Sequence, residues 1–239
     1  MKNALLTTSF IAAITISNFS YADSTGEFEM GISDARGNTD NTTINARMDF
    51  DIDQKKWRHN IFGYFFYAKN SGERSAENCT IGYKPRFFVT TQDYLFGLIR
   101  YGQDKFGSIE HQTTGVAGYG RQLFSINKHT LDAELGLGGR QTIYTSSPSN
   151  DKLASDELIY FLGGKYTGHI SKTARFTETG RVEAGQDNNY ITSITSLGLS
   201  IAGNLSAKIS YTLRYNTDVT GDKGKKVDSL SNVNLVYRF

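Results

Sequence analysis

From residue 23 onward the chain alternates apolar and polar side chains with a period of two. In TTINARMDFDI, Ile44, Ala46, Met48, Phe50 and Ile52 share one face, and Thr43, Asn45, Arg47, Asp49 and Asp51 share the other. LSAKISYTLRY sets Leu205, Ala207, Ile209, Tyr211, Leu213 and Tyr215 against Ser206, Lys208, Ser210, Thr212 and Arg214. HTLDAELGLGGR sets Leu131, Ala133, Leu135 and Leu137 against Asp132, Glu134 and Arg140. A helix would spread these charges around its circumference, whereas a strand gathers them on one side. Twelve such runs start near residues 25, 41, 57, 77, 93, 111, 129, 156, 173, 190, 205 and 227. Most span roughly 10–14 residues, against about 5–6 for soluble strands and about 9–11 for a tilted strand crossing a bilayer. Glycine, serine and threonine dilute the first, sixth and tenth runs; in the sixth, Thr113, Gly115 and Ala117 stand where bulky outward residues are expected.

The connections alternate in length. Residues 53–56, 90–93, 125–128, 171–173 and 202–204 are tight turns. Between them lie longer polar stretches: SDARGNTDN, KNSGERSAE, GQDKFGSIEHQ, YTSSPSNDKLASD, GQDNNY and TDVTGDKGKKVD. Short turns on one rim and long loops on the other are the habit of outer-membrane barrels, and a soluble sandwich has no reason to share it. No fixed repeat, linker or second domain is visible. The pattern predicts an all-β fold, a single transmembrane antiparallel up-and-down β-barrel of about 12 strands with both ends on the short-turn rim.

Composition sharpens this. The chain is 13% aromatic, with 14 Tyr and 15 Phe against only 2 Pro. Beyond the N-terminus no window is apolar enough for a membrane-spanning helix, which excludes an all-helical membrane protein. A barrel escapes that test because only every second residue faces lipid. Trp57, Tyr67, Phe87, Tyr94, Tyr101, Tyr144, Tyr166, Tyr215, Tyr237 and Phe239 fall near run ends, where interfacial rings belong. A lipocalin-like soluble barrel would bury such rings in its core, but it has eight strands.

The first residues read as a targeting segment. Met1-Lys2-Asn3 is a short positive start, Ala4–Phe19 is mostly apolar, and Ser20-Tyr21-Ala22 offers small residues to a signal peptidase. Residues 1–22 are thus read as a signal peptide and 23–239 as the barrel. With 26 basic against 24 acidic residues, and no basic block, nothing draws the chain to nucleic acid. Cys79 is the single cysteine, so there is no disulfide framework, and it lies far from the cleavage site of a lipoprotein.

Several stretches carry a family resemblance: GNTD (37–40), WRH (57–59), YLFGLIRYGQDKF (94–106), GYG (118–120), HTLDAELGLGGR (129–140), KISYTLRYNTDV (208–219) and the final LVYRF. In this order the chain resembles the salt-induced outer membrane proteins of Gram-negative bacteria, a family of largely unknown function. The resemblance implies a β-barrel in the outer membrane and brings no enzymatic site. Tyr237 and Phe239 resemble the closing aromatic signal that outer-membrane assembly machinery recognises in such barrels generally.

His59, His111, His129 and His169 stand apart from one another and from Cys79, so no metal site is expected. His169-Ile170-Ser171 resembles a barrel phospholipase motif, but it falls on a short turn with no partner after it. His111, with Glu110 and Asp104 near, reads as part of a solvated loop. GLGG (136–139) lies inside a strand with no helix to present its amides to phosphate, and reads as a bend or bulge. Neither a catalytic site nor a cofactor is expected. The acids Asp151, Asp156, Glu157, Asp187, Asp218 and Asp222 read as solvated loop residues facing the lipopolysaccharide surface.

The inward face is the informative one. It is read to hold Arg47, Arg58, Lys84, Arg86, Arg100, Arg140, Lys165, Arg175, Arg181, Lys208, Arg214 and Arg238 against Asp49, Asp51, Asp132, Glu134 and Glu183. Such charges belong in a wet lumen or in pairs across it, since a midplane Arg facing lipid costs about 2–4 kcal/mol. An open lumen so lined favours anions; a paired one closes a narrow barrel. The reading is a small channel, with Arg86, Arg100, Arg140, Arg181, Arg214, Glu134 and Glu183 as its lumen charges, or an envelope component under osmotic stress. Alternatives are an outer-membrane lipid-modifying enzyme, a closed structural barrel, and a soluble periplasmic barrel. Expected partners are outer-membrane lipids, lipopolysaccharide and the assembly machinery.

Overall fold

The computed structural model describes residues 23–35, 41–106, 109–145, 154–217 and 226–239. The segment read as a signal peptide, residues 1–22, lies outside them, as do Asp151, Asp218 and Asp222. The described strands are β1 (Asp23–Ala35), β2 (Asn41–Gln54), β3 (Trp57–Asn70), β4 (Glu73–Phe88), β5 (Asp93–Asp104), β6 (Ile109–Ile126), β7 (His129–Tyr144), β8 (Ala154–His169), β9 (Ala174–Gly185), β10 (Asn189–Ala202), β11 (Leu205–Asn216) and β12 (Val227–Arg238). Each pairs antiparallel with its neighbours in the chain, and β1 pairs with β12, so the sheet closes on itself as a barrel. Closure is what lets strands cross a bilayer, where backbone groups have no water to bond.

The burial pattern is inside-out. Leu135, Tyr160 and Val233 are 63%, 65% and 70% exposed, whereas Glu183 and Thr114 are fully buried at 0% and Arg140 at 2%. A soluble core would reverse this. The outward residues are those on the apolar side of the alternation, including Phe28, Met48, Ile81, Ile99, Leu137, Ile209 and Leu235. Thr113, Gly115 and Ala117 of β6 also face outwards.

Three expectations change. KNSGERSAE is not a long loop: β3 and β4 run through it and join at Ser71-Gly72, whose φ values of 52° and 83° make the two-residue turn of a tight hairpin. There the polar side chains lie on both faces, so alternation fades while pairing continues. Tyr94 and Tyr144 are not interfacial rings; both are buried inside the barrel. In YLFGLIRY both faces are apolar, so the period cannot say which side is which. Finally, the GLGG glycines (136–139) mark no bulge, since the register of β7 with β6 and β8 runs unbroken through them, and the GYG glycines (118–120) serve packing. A Cβ on Gly118 would lie 2.7 Å from the Phe96 ring, and one on Gly120 would lie 2.3 Å from the Tyr94 ring. These glycines vacate the inner wall so that the cross-strand rings can lie flat against it.

One carboxylate faces lipid. Glu178 of β9 lies between outward Phe176 and Val182, and its register partner Thr195 lies between Leu197 and Ser193. Glu178 accepts hydrogen bonds from Ser193 Oγ at 2.7 Å and Thr195 Oγ1 at 2.5 Å. Replacing both hydroxyls, with S193A and T195V together, leaves the carboxylate without donors. The expected loss is about 1–3 kcal/mol. It would be read as a lower urea midpoint in vesicles, followed through Trp57, the only tryptophan. An unchanged midpoint would mean that water satisfies Glu178.

Candidate functional site in the barrel lumen

The lumen is lined by alternate residues of every strand, so its chemistry is that of the polar side of each run. Its charges sort into three clusters and a small remainder. At the short-turn rim, Glu27 of β1 accepts hydrogen bonds from Arg175 at 2.7 Å, Arg238 at 2.8 Å and Lys208 at 3.3 Å. Lys208 also bonds Glu29 at 2.5 Å. Arg58 grips Asp53 through two nitrogens, at 2.5 and 3.1 Å. The second cluster centres on Glu134 of β7. Lys84 reaches it at 2.5 Å, Arg86 at 3.5 Å, and the Tyr94 hydroxyl donates to it at 3.0 Å. The Arg86 guanidinium lies over the Tyr94 ring, 5.3 Å from its centre.

The third cluster centres on Glu183 of β9. Arg100 binds it in a two-pronged fork at 2.7 and 2.9 Å and also donates to Thr114 at 3.1 Å. Arg181 approaches the same carboxylate at 3.0 Å and Arg140 at 3.7 Å. Arg140 is held in turn by Glu157, at 2.8 and 2.5 Å, and by the Asn188 carbonyl at 2.5 Å. Fully desolvated charges survive only in such saturated pairs. Beside them lies an apolar cluster of Tyr94, Phe96, Leu98, Val116, Ile159 and Phe161, with Phe62 and Phe88 packed against it. It fills the β5, β6 and β8 side of the lumen.

Between this packing and the opposite wall a chamber of about 500 Å³ remains, lined from mid-strand to the loop rim. β7 and β8 contribute nothing to its lining, which combines hydroxyls and amides such as Asn45, Asn78, Thr192, Ser210 and Asn234 with the carboxylates Glu29, Asp49, Asp104 and Asp228 and with five cations. Two of its cations, Arg47 and Arg214, form no ion pair among the described residues. Both instead lie over the Tyr64 ring, at 5.7 and 5.9 Å from its centre. A cation on a ring face keeps its charge available to a ligand.

Of the residues singled out from sequence, Arg86, Arg100, Arg140, Arg181, Arg214, Glu134 and Glu183 all lie inside the barrel, and all but Arg214 are locked in ion pairs. Beyond the acids expected inside, the lumen also holds Glu27, Glu29 and Glu157 in ion pairs, Asp53 on Arg58 at the rim, and Asp104 and Asp228 in the chamber lining. GEFEMGI carries the signal for the first two, since Glu27 and Glu29 alternate with Phe28, Met30 and Ile32. Glu157 reads as a loop acid because its strand begins earlier than its alternation shows. With these six, the twelve cations expected inside face eleven carboxylates, and the basic excess of the lumen nearly disappears. His59, His111 and His129 belong to the outward side, and His169 ends β8 at the short-turn rim. Tyr237 and Phe239 stack at 6.2 Å on the outer surface, and Phe239 exchanges backbone hydrogen bonds with Gly26 at 2.8 and 3.0 Å.

Glu183→Ala strands the Arg100 and Arg181 guanidiniums in the packed interior, while Arg140 keeps Glu157. Breaking a buried ionic cluster on one side costs about 3–5 kcal/mol. The variant is expected to lose most of its heat-modifiable, folded species in detergent gels. Lumen-exposed Asp228→Ala, which contributes no ion pair among the described residues, should leave that species intact.

Comparisons with known proteins agree with this architecture. The NanC porin superposes with a TM-score of 0.55 at 9% identity, over 89% of this chain and 98% of that one. The translocator domain of autotransporter NalP from Neisseria meningitidis superposes at 0.44 with 16% identity, over 90% and 87%. By sequence, the uncharacterized protein YdiY of Escherichia coli (strain K12) is 24% identical over 212 residues, which is 89% of this chain and 82% of that protein. This is an outer-membrane-type β-barrel of the porin-like kind. The family described as "Protein of unknown function, DUF481" matches residues 28–239, and the chain belongs to it.

Proposed function

We propose that this chain is a small channel of the Gram-negative outer membrane that favours anionic solutes. The observation that carries the reading is the pair Arg47 and Arg214, unpaired among the described residues, on Tyr64 in a polar chamber of about 500 Å³. Rings of cations lining water attract anions. The likeness to a porin supports passage as the task of such a barrel. Both strand ends on the short-turn rim put that rim on the periplasmic side, so the chamber faces outwards. Lipopolysaccharide and outer-membrane phospholipid are its neighbours. In this reading its use falls under osmotic change, for which the sequence resemblance to salt-induced outer membrane proteins is the support. No catalytic step belongs to this reading.

The packed short-turn half favours a second reading, a closed barrel that only reinforces the envelope. Planar-bilayer recording separates the two. A channel gives small unitary steps with a reversal potential favouring chloride in a potassium chloride gradient. Arg47→Gln with Arg214→Gln should shift that potential towards zero while the barrel stays folded. An absence of steps above background would reject the channel and leave the closed barrel.

Tyr237 and Phe239 form the exposed aromatic pair at the end of the closing strand, which we assign to recognition by the assembly machinery. Phe239→Ala should lower the membrane-assembled fraction without changing the amount exported. Normal assembly of this variant would reduce the ring to a packing role against Phe50, whose centroid lies 6.1 Å away.

A further inference from the structure

The wall of the chamber is incomplete at one seam. β1 pairs with β2 as far as Ala35↔Asn41, and β12 pairs with β11 as far as Val227↔Tyr215. Yet β1 and β12 pair with each other from Glu27↔Arg238 to Met30↔Leu235, with the Gly26–Phe239 pair below them at the short-turn rim. Towards the loop rim, Gly31–Ala35 of β1 and Val227–Asn234 of β12 have no ladder between them. An open sheet edge is not tolerated against hydrocarbon unless water or a ligand's polar groups reach it.

Side chains hold the seam where the ladder stops. Asn234 Nδ2 of β12 donates to Glu29 of β1 at 3.2 Å across it, and beside it Asn45 Nδ2 of β2 covers the Gly31 carbonyl at 3.4 Å. The other side-chain atom of Asn234, Oδ1, is buried and has no hydrogen-bond partner. Gly31 leaves room for this latch, since a Cβ there would lie 2.2 Å from Asn234 Oδ1. Amide side chains can change partners at little cost, which a backbone ladder cannot.

What lies on each side of the seam differs in kind. Outside are exposed apolar lips: Met30 and Ile32 on β1, Val233 and Leu235 on β12. Inside are the two chamber cations that form no ion pair among the described residues: Arg47 is the register partner of Glu29 of β1, a carboxylate that Lys208 and Asn234 already engage, and Arg214 is that of Asp228 of β12. Tyr64, on which both lie, belongs to β3, so the pair bridges the chamber directly behind the seam. A molecule with an anionic head and an acyl tail satisfies both environments at once.

We propose that the upper β1–β12 seam is a lateral passage between the chamber and the outer leaflet, used by amphiphiles with an anionic head and an acyl chain. The head rests on Arg47 and Arg214, and the tail lies between Ile32 and Val233. This deepens the anion-favouring reading above and rests on it for the head group.

The test uses the whole barrel in phospholipid vesicles with a diazirine-bearing stearic acid, and the matching stearyl alcohol as control. Photolabelling by the acid is expected to concentrate on the seam and chamber, with the alcohol spread over the lipid face. Arg47→Gln with Arg214→Gln should erase the difference between the two probes. In a Cys79→Ser background, Ile32→Cys with Val233→Cys permits a disulfide across the seam. Oxidation should abolish chamber labelling, leave chloride conductance unchanged, and be reversed by reductant. Equal chamber labelling of oxidised and reduced protein would overturn the passage, as would identical labelling by acid and alcohol in the unmodified barrel. Acid-specific labelling of the seam in a barrel that conducts no chloride would uphold the passage and reject the ion channel.

Discussion

The structure depends on one constraint: inside a bilayer no backbone N–H or C=O can be left to water. A sheet meets it only by closing, and closing fixes the rest. Alternate side chains must face lipid and lumen, so the strands read as strict alternation rather than as apolar runs. Strand ends must be joined without leaving the barrel wall, so turns such as Asn127-Lys128 adopt positive φ, at 49° and 70°, to reverse direction in two residues. The same constraint singles out the β1–β12 seam. It is the place where first and last strands must find each other without a turn to align them, and its ladder is the short one.

Closure creates a second problem, because the polar side of every strand is then crowded into a narrow tube. The barrel solves it in two ways at two heights. In the short-turn half, carboxylates are shared among several cations: Glu27 by Arg175, Lys208 and Arg238, and Glu134 by Lys84 and Arg86. Each carboxylate offers enough lone pairs for several donors, so a cation excess is held without isolated charges. In the loop half hydroxyls and amides share the lining with the Glu183 cluster and with Asp49, Asp104 and Asp228, and Arg47 and Arg214 lie on an aromatic ring. The first arrangement holds each cation on a carboxylate; the second leaves the charge of Arg47 and Arg214 open to whatever enters.

Most of the architecture was legible because the lipid face imposes a period that no soluble context demands over so many consecutive runs. The inward position of Arg86, Arg100, Arg140, Arg181 and Arg214 followed from that period. What could not be read was partnership. Arg100 meets Glu183 across 83 positions of sequence and Arg175 meets Glu27 across 148, distances set by barrel curvature and not by any local pattern. A count of inward charges therefore suggested a strongly basic lumen, when pairing leaves Arg47 and Arg214 as the chamber cations without carboxylate partners among the described residues. The apolar packing was hidden for a different reason. Phe96, Leu98, Ile159 and Phe161 stand on strands apolar on both faces, where period two carries no information about side.

The two halves of the lumen give the barrel a direction. A solute entering from the loop rim meets hydroxyls, amides, the carboxylates Asp104 and Asp228 and the two available cations before it meets the packed half. A solute entering from the short-turn rim meets the Arg58–Asp53 and Glu27 clusters, then the Glu134 cluster with Tyr94 and Phe96 behind it. Those groups are already saturated, and displacing one costs its ion pair. Residence is therefore favoured in the outer chamber, and onward movement along the axis is opposed by packing. Above Met30 and Leu235, where the Asn234 amide holds the seam, it offers less resistance than that packed axis, because there it has no backbone ladder to break. The position of the weakest part of the wall beside the most available charges is what gives the chamber a second way out.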